Sequence, residues 1–254
     1  MTVHFVGAGP GAADLITLRA ASLLAAADVV LYPGTYLDAA VLGHCRDDAR
    51  LVDTQDLDLD RITAVLVEAH AAGRDAVRLT SGDPSLYSAL HEQTRRLDAA
   101  GVPWDVTPGV PAYAAAAAVV GRELTVPLVA QTVVLTRTQA RSTAMPERES
   151  LASYAATGAT LVLHLAITRT RALMGELAPF YGPDCPAVVV CRASQPEEVV
   201  LRGTVGGDDA IADLVEEAGL RQAAVILVGP ALASDHGAES WLYSTERTER
   251  KVRA

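Results

Sequence analysis

"GAGPGAADLIT", residues 7–17, decides how the chain is read. It follows a short apolar run, Val3 to Val6, that reads as a buried strand, and it precedes a helical pattern. In open α/β sheets that is where ligands bind, outside the carboxyl end of a strand. Gly7, Gly9 and Ala12 satisfy a permissive dinucleotide fingerprint. Two features weaken it. The helix waits for Thr17, a good N-cap ahead of apolar residues at helical spacing over Leu18 to Ala27, whereas a phosphate-gripping turn runs straight into its helix. About twenty residues past Gly11 stand Val30, Leu31 and Tyr32, with no carboxylate for a ribose. A nicotinamide-dinucleotide-binding protein is therefore the rival reading and not the leading one.

Working outward, three more turns of similar composition follow strands, namely "YPGTY" at 32–36, "SGDPSLY" at 81–87 and "TPGVPAY" at 107–113. Glycine lets a ligand approach the backbone closely and proline stiffens the loop, so the set suggests a crevice lined by main chain. Taken singly, each is also an ordinary well-made turn.

The remaining pattern alternates strands and helices. Strands are expected at Val29–Tyr32, Ala76–Thr80 and in "VPWDVTPG". A helix capped by Asp60 carries Ile62, Val65, Leu66 and Ala69 on one face and ends at Gly73. A second helix opens with Asp83 as cap and Pro84 at its first position, and "VPAYAAAAAVVG" reads as a third. A second block, starting near Leu124, carries strands at Thr132–Thr136, Thr160–Leu165, Ala187–Cys191 and Ala223–Val228, with Val199–Thr204 as a hairpin partner. Its helices fall at about Pro146–Ala156, Thr168–Tyr181 and Asp208–Ala218. This alternation predicts an α/β protein of two domains, residues 1–122 and 123–254, each with a largely parallel sheet.

With 254 residues, half of them hydrophobic, the chain can bury two cores. Its net charge of −10 argues against a nucleic-acid partner, which needs a cationic field. The longest apolar run, Val110 to Val120, is too short to span a bilayer, and "MTVHFVGAG" has no basic leader, so a cytoplasmic protein with no membrane partner is expected. Cys45, Cys185 and Cys191 form no CxxC pair and the six histidines are scattered, so no metal is expected. The tail "TERTERKVRA" reads as a solvated end of mixed charge.

"VGAGPGAADLITLRA", "SGDPSLYSAL" and "TPGVPAYAAAAA", in this order and spacing, resemble the tetrapyrrole methylases, which move a methyl group from S-adenosylmethionine to a modified porphyrin ring. "QTVVLTRTQARSTAMPERESLASYAATGATLVLHLA" and "VVVCRASQPEEVVLRGTV" resemble second-domain segments of that family, so the likeness spans nearly the whole chain. Within it, "QTVVLTR" followed by "PERESL", together with "RASQPEEVVLRGT", is most similar to the branch that methylates ring carbon 11 on the way to cobalamin. Uroporphyrinogen methylases usually carry a "DRLV"-like stretch where this chain has "YPGTYL". Ser88, where many members have glycine, and "YPGTY" itself depart from the pattern and bear on the substrate pocket. A related step, on cobalt-precorrin-4 or uroporphyrinogen III, remains an alternative, as does a family relative acting on ribosomal RNA or a protein side chain.

The resemblance implies a two-domain tetrapyrrole methylase fold, with helices on both faces of each mostly parallel sheet and the active site in the cleft between the domains. It implies S-adenosylmethionine as methyl donor, a small-molecule tetrapyrrole as substrate and a homodimer. Carried over residue by residue, the cofactor would be bordered by Pro10, by Ser81, Gly82 and Asp83, by Pro111 and Ala112, and by Leu165, Ala193 and Ala224. Asp83 is equally explained as a helix cap, and Ala193 and Ala224 as core alanines. A tetrapyrrole bears several carboxylates, and Arg137, Arg141 and Arg148 offer guanidinium forks to them, unless they belong to a solvated loop of mixed charge. Transfer from a sulfonium asks the protein to align and desolvate, which suits a sequence with no nucleophile–base set. No residue presents itself as the catalytic base.

Overall fold

A computed structural model describes residues 1–138, 144–233 and 240. By contacts between residues, the chain divides into two compact units. One comprises Met1–Ala115 with Arg192–Glu197, the other the described parts of Ala116–Cys191 and Glu198–Ala254.

The first unit is built on β1 (Val3–Gly7), β2 (Val29–Tyr32), β3 (Arg50–Asp53), β4 (Ala76–Thr80) and β5 (Trp104–Thr107). They pair in the order β3-β2-β4-β1-β5, every pairing parallel. Side chains alternate across the sheet, as the period of two requires. Val3, Phe5, Val29, Leu31 and Ala76 face Ile62, Leu66 and Ala69 of α2 (Leu59–Ala71) and Leu97 of α3 (Leu90–Ala99). On the other face Val6, Val30, Val77 and Leu79 meet Ala20 and Leu24 of α1 (Leu18–Ala26). Thr17 caps α1 as expected, its hydroxyl accepting the Ala20 N–H at 3.1 Å.

Two caps differ from expectation. Asp58, not Asp60, starts α2, accepting the Arg61 N–H at 2.8 Å; Asp60 already lies in the first turn and pairs with Arg96 at 3.1 Å. Asp83 does not cap a helix: α3 begins at Leu90, because the carboxylate of Asp83 is committed to the turn before it. Strand β3 has no counterpart in the sequence reading. It lies at the sheet edge and is mostly exposed, so "RLVD" carries neither an apolar run nor a clean alternation.

The unit boundary falls inside α4 (Ala112–Val120). Beyond it, β6 (Val133–Arg137), β7 (Thr160–His164), β8 (Pro186–Cys191), β9 (Val199–Thr204) and β10 (Ala224–Val228) form a sheet in the order β6-β7-β10-β8-β9. The expectation of a mostly parallel second sheet is corrected here. Only the β6–β7 pairing is parallel; β7–β10, β10–β8 and β8–β9 are antiparallel. The cause is the hairpin between β8 and β9, which reverses the chain. The next crossover then returns β10 in the reversed direction, between β7 and β8. Strand–helix alternation fixes the sense of successive strands but not which strands become neighbours.

One face of this sheet, with Leu161, Leu163, Val189 and Ile226, packs against α5 (Leu151–Ala155), α6 (Thr170–Tyr181) and α7 (Ile211–Glu217). On the other face Arg202 donates to the Val120 carbonyl, at the end of α4, at 3.2 Å. Among the described residues no helix is long and apolar enough to cross a membrane.

Leu66 is fully buried between α2 and the first sheet. Leu66→Ala is expected to destabilise the protein by roughly 2–5 kcal/mol through lost burial and the cavity left behind, read as a lower urea midpoint at unchanged secondary structure.

Candidate functional site

The carboxyl ends of β4, β1 and β5 lie side by side and run into glycine. A Cβ on Gly7 would come to 2.5 Å from the Gly109 nitrogen and 2.7 Å from the Gly82 carbonyl oxygen, distances that real Cβ atoms do not show. Gly9 and Gly82 exchange hydrogen bonds, Gly82 N–H donating to the Gly9 carbonyl at 2.8 Å and Gly9 N–H to the Gly82 carbonyl at 3.2 Å. Asp83 ties this knot. Its Oδ1 accepts the Ser85 N–H at 2.8 Å and the Ser85 hydroxyl, while Oδ2 accepts the Gly109 N–H at 2.8 Å. Partial burial pushes the Asp83 carboxyl up, but the Ser85 hydroxyl and the Gly109 and Ser85 amides outweigh it and hold it below the usual carboxylate range.

Over the first loop lies Arg192–Glu197, which belongs to the same unit. Gln195 donates from Nε2 to the Pro10 carbonyl at 3.0 Å, and Ser194 Oγ accepts the Ala12 N–H at 3.2 Å. Gly11, at φ +152°, has no room for a Cβ because the Gln195 side chain fills that space. The amide and the open glycine face that a dinucleotide turn would offer a pyrophosphate are thus taken by the chain's own side chains. This counts against the dinucleotide reading on geometry, where the sequence argued from spacing.

In the second unit, Arg137 ends β6 opposite His164, which ends β7. Strand β10 runs the other way, so Ala224 begins at that same end of the sheet, and extending the Ile226–Leu163 register sets it opposite Leu165. Leu165 and Ala223 both adopt φ +54°, a left-handed conformation that costs a non-glycine residue about 1–2 kcal/mol. Such residues concentrate at functional sites. Leu165 is also 61% exposed, unusual for a leucine beside a buried strand. Burial lowers the pKa of His164 below its ordinary value, leaving the ring neutral at pH 7.

Of the residues implied by resemblance, Ser81, Gly82, Asp83, Pro111 and Ala112 therefore gather around one knot, with Ala193 in the segment laid over the neighbouring loop. Pro10 is buried beneath Gln195. Leu165 and Ala224 meet at the end of the second sheet. Arg137 is at that end, and Arg148 is exposed in the connection leaving β6; Arg141 lies outside the described residues. Ser194, Gln195 and His164 lie inside the family-like stretches "RASQPEEVVLRGT" and "TLVLHLA", but the sequence reading gave them no role, because their partners are distant in sequence or set by burial. An adenosyl sulfonium needs main chain to lie against and few bulky side chains in the way. Ser81, Pro111 and Ala112 are at least partly open and present nothing larger than a pyrrolidine ring, so these residues fit it.

Residues 2–207 match the model of the family described as Tetrapyrrole (Corrin/Porphyrin) Methylases. A precorrin-4 C(11)-methyltransferase of Rhodococcus erythropolis is 54% identical, over 97% of this chain and 98% of its own. Among solved structures, a cobalt precorrin-4 methyltransferase from cobalamin biosynthesis superposes with a TM-score of 0.86 at 37% identity, covering 91% of this chain and 95% of that one. A uroporphyrin-III C-methyltransferase of Thermus thermophilus, complexed with S-adenosyl homocysteine, gives 0.74 at 28% identity, covering 92% and 99%.

Asp83→Asn would turn an amide donor toward the Gly109 or the Ser85 N–H, and is expected to destabilise by about 1 kcal/mol at neutral pH. Because the folded pKa of Asp83 is depressed, its contribution is present above the unfolded value and lost as pH falls through the folded one. Urea titrations of wild type and variant at stepped pH should therefore converge only below about pH 4.

Proposed function

This chain belongs to the tetrapyrrole (corrin/porphyrin) methylases, and from that membership we propose that it methylates precorrin-4 at ring carbon 11, giving precorrin-5, in cobalamin biosynthesis. One observation carries the reading: identity of 54% over almost the full length of both chains to a precorrin-4 C(11)-methyltransferase. The weaker 37% identity to a cobalt precorrin-4 methyltransferase favours the metal-free ring over the cobalt complex.

S-adenosylmethionine, when bound, supplies an activated methyl group on a positively charged sulfur that leaves as a neutral thioether. The chain's part is positional. Ser81, Gly82, Asp83, Pro111 and Ala112 offer main chain that the Gly7–Gly82–Gly109 contact and the Asp83 hydrogen bonds keep from rearranging. Pro10, Leu165, Ala193 and Ala224 complete the proposed cofactor surroundings. Arg137, Arg141 and Arg148 are proposed to bind ring carboxylates, where an acidic protein needs local cations. In the same reading the protein works in the cytoplasm as a homodimer, with functional domains 1–122 and 123–254. Its charge of −10 supports a small-molecule substrate over nucleic acid.

The test incubates the protein with S-adenosylmethionine and precorrin-4. Mass spectrometry should show one added methyl and NMR should locate it on carbon 11; a product methylated elsewhere, or none, overturns the assignment. Arg137→Ala is expected to weaken precorrin-4 binding roughly tenfold, the loss of one charge-assisted pair, with S-adenosylhomocysteine affinity unchanged by calorimetry.

A further inference from the structure

Between the knot and α3 lies a turn that the mechanism leaves unexplained. Tyr87 and Ala89 both sit at φ +54°, and neither is glycine. Two left-handed residues so close together stay in place only where the surroundings dictate them.

Behind the turn is a buried cation. Arg78, on β4, is 8% exposed, and among the described residues no carboxylate forms an ion pair with it. Burial lowers its pKa to about 10, so it remains charged at neutral pH. Its Nε donates to Gln93 Oε1 at 3.2 Å and its Nη1 to the Leu79 carbonyl at 2.9 Å. Gln93, in the first turn of α3, is 1% exposed, and its Nε2 donates to the carbonyls of Ser88 at 3.2 Å and Ala89 at 3.1 Å. The orientation of that amide is settled by chemistry. A guanidinium can only donate, so the amide oxygen must face Arg78; backbone carbonyls can only accept, so the NH2 must face the turn. The two side chains pass one alternation of donor and acceptor from strand β4 to the end of the turn. A sheet-to-helix contact alone would be made more cheaply by apolar side chains, since a buried charge is costly to desolvate.

We propose that Arg78 and Gln93 are positioning residues, a buried relay that holds the turn Pro84–Ala89 in its left-handed geometry and thereby sets Ser81, Gly82 and Asp83 for the cofactor. The turn is clamped at both ends, by Asp83 on Ser85 and Gly109 and by Gln93 on Ser88 and Ala89. The consequence for the cofactor rests on the reading under Proposed function; the consequence for the turn does not.

Gln93→Glu separates positioning from stability. A carboxylate keeps and strengthens the partner of Arg78, but confronts the Ser88 and Ala89 carbonyls with a second acceptor in place of a donor. The expected result is an unchanged or raised melting temperature, faster amide exchange confined to residues 84–90, and S-adenosylhomocysteine affinity weaker by roughly tenfold. The double variant Arg78→Met with Gln93→Met removes the buried charge together with its side-chain partner, so neither is left facing the other unpaired, and should reproduce the loosened turn and the affinity loss should the first variant fail to fold. Wild-type exchange and affinity in a folded variant would overturn the relay. So would a fall in melting temperature with exchange quickening across the whole first unit, the mark of a purely structural pair. Should the wild type fail to bind S-adenosylhomocysteine, the cofactor reading falls, while exchange in the turn still decides the relay.

Discussion

Everything in the first unit depends on how close its backbone comes to itself where β4, β1 and β5 end. Adjacent strands lie about 4.8 Å apart, and the loops leaving these three must turn without separating them. The Gly7 α-carbon meets the Gly109 backbone at a distance that excludes even a methyl group. At Gly7 and Gly109 no side chain can stand, so peptide groups face one another there. Such a surface holds its shape only if its loops are tied to one another. Asp83, with donors from the loops after both β4 and β5, is the tie.

That tie shows where sequence reasoning reached and where it stopped. The glycine-rich turns and their order were legible, because only glycine tolerates such contact, and four of them after strands form a pattern that a single loop does not. The role of Asp83 was not. An aspartate followed by proline and, shortly after, by a helical pattern has the local signature of an N-cap, yet its partner is Gly109, 26 residues away. A long-range hydrogen bond has no local signal to compete with the cap. Strand β3 went unseen for a related reason: an exposed edge strand owes its existence to its neighbour β2 and not to its own pattern.

The second sheet marks a different limit. Its strands were found within a residue or so, and the β8–β9 hairpin was anticipated, but the sense of the sheet was not, because strand order is a property of packing. Leu165 and Ala224 came from family likeness alone; neither residue type hints at a site. In the structure Leu165 and Ala223 accept left-handed backbone at the end of the sheet where β7 stops and β10 begins. That conformation is a property of the fold, and composition gives no clue to it.

In both units glycine carries most of the left-handed backbone among the described residues. The non-glycine exceptions of the first are Tyr87 and Ala89 in the turn before α3, where Arg78 and Gln93 stand behind them, and Arg192 and Ser194 in the segment over the first loop. Those of the second are Leu128, Leu165 and Ala223. A reaction whose donor already contains its leaving group gains little from a nucleophile or a metal, and much from atoms that do not move. Holding a methyl, a sulfur and a ring carbon in line demands main chain that cannot relax, so a chain of this kind spends its unusual residues on fixing backbone. The absence of a recognisable acid–base set in the sequence and the concentration of glycine contacts, buried donors and left-handed residues in the structure are then two views of one design: reactivity resides in the cofactor, and the fold supplies position.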